Sequence, residues 1–294
     1  VPLILKSLLL LSALICFKLS ANTPYSIPRS NVVELIEPVS ERAYPVYIQL
    51  PKSYQKQPNK TYPVIYVTDA PYTFPIVAGA TRFPMNSGKM QQAIIVAIGY
   101  EKGSAGSNSR IRDYTPTFAK DWKKQTGNAK GHIQFLQSTV FPFIEKNYRA
   151  SNLQRTYMGH SLGGLFGATI LLTTPDLFSN YIIGSPSVWF DNNALLALKV
   201  NKPKLPIRVY ISVGSMETPA FGEGQNMVEG AKQLTQKINA LKSDNIELKS
   251  VVIDGANHAT AFPTTAIQGL DWVLGPVDLS GLKFVQSRGD LIAT

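Results

Sequence analysis

Cysteine is almost absent from this 294-residue chain: Cys16 is its sole representative. It lies in an N-terminal segment that reads as removable, so the mature chain holds none. That excludes disulfides, cysteine-ligated metal and a cysteine nucleophile. Histidine is scarce as well, with only His132, His160 and His258. Three scattered imidazoles give no ligand spacing, so neither a metal nor a cofactor is expected. Acidic residues are few, 19 against 29 lysines and arginines, for a formal charge of +10. Such a charge admits nucleic acid as a partner. No dense basic run interleaved with aromatics supports that, and none is expected. Internal repeats and low-complexity runs are missing from the middle of the chain, which favours one domain with one large core.

The first residues stand apart. Val1 to Ala21 contains Lys6, an apolar stretch from Leu8 to Phe17 and a small residue at its end. That is the pattern of a cleaved secretory signal peptide, and the apolar stretch is too short to span a bilayer comfortably. The expectation is a mature domain over 22–294, periplasmic or secreted, with no stable membrane association. A retained anchor is the alternative. Lys6 and Lys18 would leave with the signal, lowering the formal charge to +8.

Along the rest of the chain, short apolar runs alternate with helical patterns. Strands are expected at 31–36, 43–50, 62–67, 92–98, 155–158, 181–183, 207–213 and 248–253. Several are apolar on both sides, as in a sheet covered on both faces. Residues 101–126 are rich in Gly, Ser, Arg and Lys and read as mostly loop. A helix is expected over 130–148 with a kink at Pro142, and others near 192–200, 225–242 and 264–274. The alternation implies an α/β class with a mostly parallel, doubly wound sheet flanked by helices.

Gly159-His160-Ser161-Leu162-Gly163 carries the chemistry. It matches G-x-S-x-G between a β-like run, 155–158, and an apolar helix-like run, 162–172, the context that a nucleophile elbow in an α/β-hydrolase fold requires. The glycines leave room for a sharp turn that pushes the Ser161 hydroxyl out of the sheet. The Leu162 N–H then lies at a helix N-terminus, aimed at a developing oxyanion. A serine needs a base. His160 is inside the elbow and points away, and His132 precedes the serine in a helical stretch. His258 follows the last expected strand, where the base of this fold belongs. Glu217, after the Val213-Gly214 turn that ends the preceding strand, is the candidate acid. Asp254 is nearer His258 in sequence but misplaced for the fold, and a Ser–His dyad is the alternative. The second oxyanion donor should follow the 62–67 strand. Pro71 has no N–H, leaving Ala70 or Tyr72.

More of the chain carries a likeness. Tyr66 to Asp69, Arg110 to Thr117, Phe141 to Arg149, Gly159 to Gly164, Ser185 to Trp189 and Val213 to Glu217 occur in that order. Together they resemble the putative-esterase (esterase D-like) branch of the α/β-hydrolases, over roughly residues 30–275. Within it the chain is most similar to siderophore esterases that open enterobactin-type trilactones. The resemblance implies Ser161 and His258 as catalytic residues and a small-molecule ester as substrate; Arg110, Arg112 and Trp189 are the candidate substrate-binding residues. Some siderophore members work with a dyad. The branch usually has glycine where this chain has Ala70. Independently, residues 101–130 carry seven lysines and arginines against Glu101, Asp113 and Asp121. An anionic ester such as a ferric catecholate would be attracted there; a solvated loop, or Arg112 paired structurally with Asp113 or Asp69, is the alternative. Aryl or feruloyl esters, thioesters and small acyl esters fit the same chemistry. A non-catalytic binding protein on a hydrolase scaffold is the contrasting reading.

Overall fold

The computed structural model describes residues 24–276. The expected signal segment, 1–21, and the stretch 277–294 lie outside the described residues. Eight strands form one sheet: β1 (Ser30–Ile36), β2 (Ala43–Gln49), β3 (Tyr62–Val67), β4 (Ile94–Ile98), β5 (Ala150–His160), β6 (Asn180–Gly184), β7 (Ile207–Gly214) and β8 (Ile246–Ile253). Their order is β1-β2-β4-β3-β5-β6-β7-β8. β1 pairs with β2, and β2 with β4, antiparallel. All other pairs are parallel.

Side chains alternate across the sheet because successive Cβ atoms point to opposite faces. Val64 and Tyr66 of β3 enter one apolar cluster, and Ile65 and Val67 enter the other. The second face is covered by α1 (Ala70–Asn86) and α8 (His258–Leu274). The first is covered by α2 (Gly106–Tyr114), α3 (Ala129–Phe135), α4 (Phe141–Asn147), α5 (Leu162–Thr173), α6 (Phe190–Ala197) and α7 (Met227–Asn239). The connection after β3 runs to β4 on one side, and the connection after β5 runs to β6 on the other. A crevice therefore opens outside the carboxyl ends of β3 and β5, where open α/β sheets bind ligands.

Two helices depart from the sequence reading. α1 follows β3 directly despite Pro71, Pro75, Gly79 and Pro84. Pro71 occupies its first turn, where no N–H is required. Phe74, Val77, Ala78 and Met85 bury the apolar face, and that packing overrides propensity. α2 falls in a stretch expected to be mostly loop. Its buried positions are Ser109, Arg112, Asp113 and Tyr114, so it has no apolar stripe to reveal it. The helix expected over 130–148 is divided into α3 and α4 by a π-helical turn at Leu136–Val140, just ahead of Pro142.

Candidate active site

β5 runs into α5 through Ser161, which has φ 60° and ψ −119°. A non-glycine residue there is strained, and its surroundings hold it. The Ser161 N–H donates to the Gly184 carbonyl at 3.0 Å, and the Leu165 N–H donates to the Ser161 carbonyl at 2.9 Å. Both flanking glycines are required by close approach. A Cβ on Gly159 would strike the Gly163 carbonyl, and one on Gly163 would strike Thr68 Oγ1 and lie 3.1 Å from Asp69 Oδ2. Among the described hydrogen bonds, the Leu162 N–H at the start of α5 has no partner. It adds its dipole to the helix N-terminus that faces the crevice.

The turn after β3 supplies a second unpaired donor. Asp69 takes the left-handed conformation, φ 60° and ψ 42°. The N–H groups of Tyr72 and Thr73 donate to the Asp69 carbonyl at 3.0 and 3.1 Å. Tyr72 is therefore engaged, Pro71 has no proton, and Ala70 keeps the unpartnered N–H of this turn among the described hydrogen bonds.

β7 and β8 bring Glu217 and His258 together. Glu217 is fully buried. Its Oε1 accepts from Ser185 Oγ at 2.6 Å and from the Gly214 N–H at 2.7 Å. Its Oε2 lies 2.5 Å from His258 Nδ1. Burial by itself would raise the Glu217 pKa, but the bonds from His258, Ser185 and Gly214 hold it below the usual carboxylate value. His258 opens α8 after an Asn257 capping box, in which the Asn257 side chain accepts from the Ala259 and Thr260 N–H groups. His160 packs behind it: the rings are 4.6 Å apart, and His160 Nε2 lies 2.9 Å from the His258 carbonyl. Burial, then the neighbouring His258, lowers the His160 pKa to about 4.

Ser185-Pro186-Ser187, after β6, joins the two halves of the site. Ser185, at φ 40°, donates its N–H to the Ser212 carbonyl at 2.7 Å as well as its hydroxyl to Glu217. The Ser187 N–H donates to the Ser161 carbonyl at 3.1 Å, and the Ser187 and Ser161 hydroxyls lie 3.4 Å apart. Among the described hydrogen bonds Ser161 Oγ has this partner and not His258. Sequence reasoning gave neither serine a role. The Ser-Pro-Ser run was visible, but nothing local in it shows which groups it meets.

The expected substrate contacts fare unevenly. Arg112 is corrected. It is 6% exposed, binds Asp113 with Nε and Nη2 at 2.8 and 2.7 Å, and reaches Glu101 Oε2 at 2.6 Å and the Tyr44 hydroxyl at 3.1 Å. Its donors are spent inside the protein, so it does not face a ligand. Arg110 pairs with Asp69 through Nε at 2.8 Å and Nη2 at 3.3 Å, its side chain 24% exposed. Trp189 is partly buried and stacks on Trp122 at 6.2 Å, and Trp122 meets Phe190 edge-on. Lys120, Lys123 and Lys130 of the basic stretch are exposed.

Comparison with known proteins points one way. The family model described as "Putative esterase" matches residues 38–272. The ferri-bacillibactin esterase BesA of Bacillus subtilis is 29% identical over 272 residues, covering 86% of this chain and 92% of that protein. The crystal structure of the BES protein from Bacillus cereus superposes with a TM-score of 0.74 at 29% identity, covering 86% of this chain and 98% of that one. The siderophore hydrolase EstB from Aspergillus nidulans shares the fold, with a TM-score of 0.69 at 22% identity over 86% of this chain and 97% of that one.

Proposed function

From the premise that this chain belongs to the "Putative esterase" family, we propose that it is a serine carboxylic-ester hydrolase working through an acyl-enzyme on a siderophore ester. The observation that carries the mechanism is the constellation at one crevice. It comprises a strained Ser161, two N–H groups at Leu162 and Ala70 without a partner among the described hydrogen bonds, and a buried Glu217 bound to His258.

The Ser161 hydroxyl turns from Ser187 toward His258 and attacks the ester carbonyl, passing its proton to His258 Nε2. Glu217 holds the Nδ1–H and offsets the charge of the imidazolium. The carbonyl oxygen gains its negative charge between the Leu162 and Ala70 N–H groups. On collapse the alcohol leaves with the proton from His258. Water then attacks the acyl-serine by the same route, releasing the acid and restoring Ser161.

The substrate class is supported by the likeness to ferri-bacillibactin esterase. Exposed Lys120, Lys123 and Lys130 would attract an anionic, iron-loaded ligand to the rim. We also propose that the segment ending near Ala21 is removed on export, giving a periplasmic or secreted enzyme. N-terminal sequencing of the exported protein tests this, and a mature chain that retains Leu8 to Phe17 refutes it.

Ser161→Ala tests the chemistry. It should abolish fluorophosphonate labelling and lower turnover by ~10³-fold or more. An ester panel with iron-loaded and iron-free trilactones, read by mass spectrometry, tests the substrate. Normal turnover by folded Ser161→Ala refutes the serine mechanism. Turnover of simple esters with both trilactones untouched refutes the siderophore reading alone.

A further inference from the structure

Asp69 presents an anomaly. It stands at the N-cap of α1, yet its side chain makes no capping bond, and its backbone is left-handed without being glycine. Such a conformation costs about 1–2 kcal/mol and persists only where neighbours impose it. Here the neighbours include two residues of α2, and the Tyr100 hydroxyl also bonds the carboxylate. Arg110 grips the Asp69 carboxylate with two donors. Tyr114, one turn further along the same helix face, accepts from the Asp69 N–H at 3.3 Å. The carboxylate also lies where a side chain on Gly163 would stand, 3.1 Å from that Cβ position. It is thus wedged between the peptide that carries the Ala70 N–H and the first turn of α5, which carries the Leu162 N–H.

We propose that Arg110 is a positioning residue: through Asp69 and with Tyr114, it fixes the direction of the Ala70 N–H and the spacing of the oxyanion pair. The inference rests on the serine-esterase reading. It reverses the expectation that Arg110 reads the charge of the substrate. Two of its nitrogens bond Asp69, which neutralises the guanidinium, so anion recognition is assigned to the exposed lysines. A bidentate arginine is required, because a lysine ammonium cannot span both carboxylate oxygens.

Arg110→Gln and Arg110→Lys test this, each checked for folding by thermal melting. A misdirected oxyanion donor should lower kcat by ~10- to 10²-fold, less than the loss of a donor outright. KM should change by less than about threefold, equally for neutral and anionic esters and at low and high salt. The Ki of a trifluoromethyl ketone, which forms a tetrahedral oxyanion on Ser161, should rise by the factor that kcat/KM falls. In an Asp69→Asn background the Arg110→Gln change should add almost nothing. Unchanged kcat and Ki in a folded variant, while wild type turns over ester, overturns the clamp alone. So does a KM increase confined to anionic esters. A wild type inert toward all esters and unlabelled by fluorophosphonate overturns the esterase reading, and the clamp with it.

Discussion

Glu217→Gln separates a triad from a dyad, and its outcome can be worked out atom by atom. Oε1 accepts from two groups, Ser185 Oγ and the Gly214 N–H, while among the described hydrogen bonds Oε2 meets only His258 Nδ1. The Gly214 N–H can only donate, so the glutamine carbonyl must stay on that side. Its NH₂ then faces His258 and donates to Nδ1. The imidazole proton is driven to Nε2, the nitrogen that must accept from Ser161. The enzyme keeps its shape but holds the wrong tautomer, a change that costs up to ~10⁴-fold in a comparable triad. The expected loss is about 10²- to 10⁴-fold in kcat, or about 2.7–5.5 kcal/mol of barrier, with KM nearly unchanged. Stability should fall by no more than about 1.5–3 kcal/mol, because the charge-assisted bond to His258 becomes a neutral one and the other two bonds are retained. Steady-state kinetics on a neutral ester across pH, with a thermal melt, reads both quantities. A folded variant within about threefold of wild-type kcat would mean that His258 is aimed without Glu217 and that the acid is not part of the machinery.

Arg112→Gln should destabilise the protein by about 3–5 kcal/mol, because it leaves Asp113 and Glu101 without their buried partner, while the KM ratio of anionic to neutral esters stays constant. Full stability with a charge-specific KM increase would return Arg112 to the substrate. His160 has its folded pKa lowered from 6.5 to about 4. The unfolded chain therefore binds a proton that the folded chain refuses, and stability should fall as pH drops through that window, by up to about 3 kcal/mol. Denaturant midpoints of His160→Gln should fall less steeply between those pH values, and parallel curves for the two proteins would contradict this.

The sheet was legible because its signal is local. The runs at 62–67 and 207–213 are apolar enough to declare themselves buried strands, and the glycines around Ser161 mark a turn that no bulkier residue fits. His258 and Glu217 were legible by position along the chain and meet in space at 2.5 Å. α2 was hidden because three of its four buried residues, Ser109, Arg112 and Asp113, are polar or charged, and a hydrophobic pattern cannot reveal an arginine buried against aspartate. α1 was hidden by three prolines whose cost is offset by tertiary packing. For Arg112 the sequence left substrate binding and a structural pair with Asp113 both open, because it shows that a residue is charged but not how deeply it is buried; the structure has the pair. Ser185 and Ser187 were missed for a related reason: their roles consist entirely of contacts made 26 to 32 positions away.

The Ser185-Pro186-Ser187 tripeptide has a consequence for how this protein can change over generations. One end is fastened to the acid and the other to the nucleophile's own peptide, with a proline between them that removes a backbone torsion. The separation of the two chemical groups is thereby gauged by a single short ruler. Variation in the Trp122 and lysine-bearing stretch can retune which ester is accepted without recalibrating the reaction. A substitution at 185 or 187 moves both ends at once. Adaptation to new substrates should therefore accumulate at the rim, and libraries built for altered specificity will yield most when they leave these three residues alone.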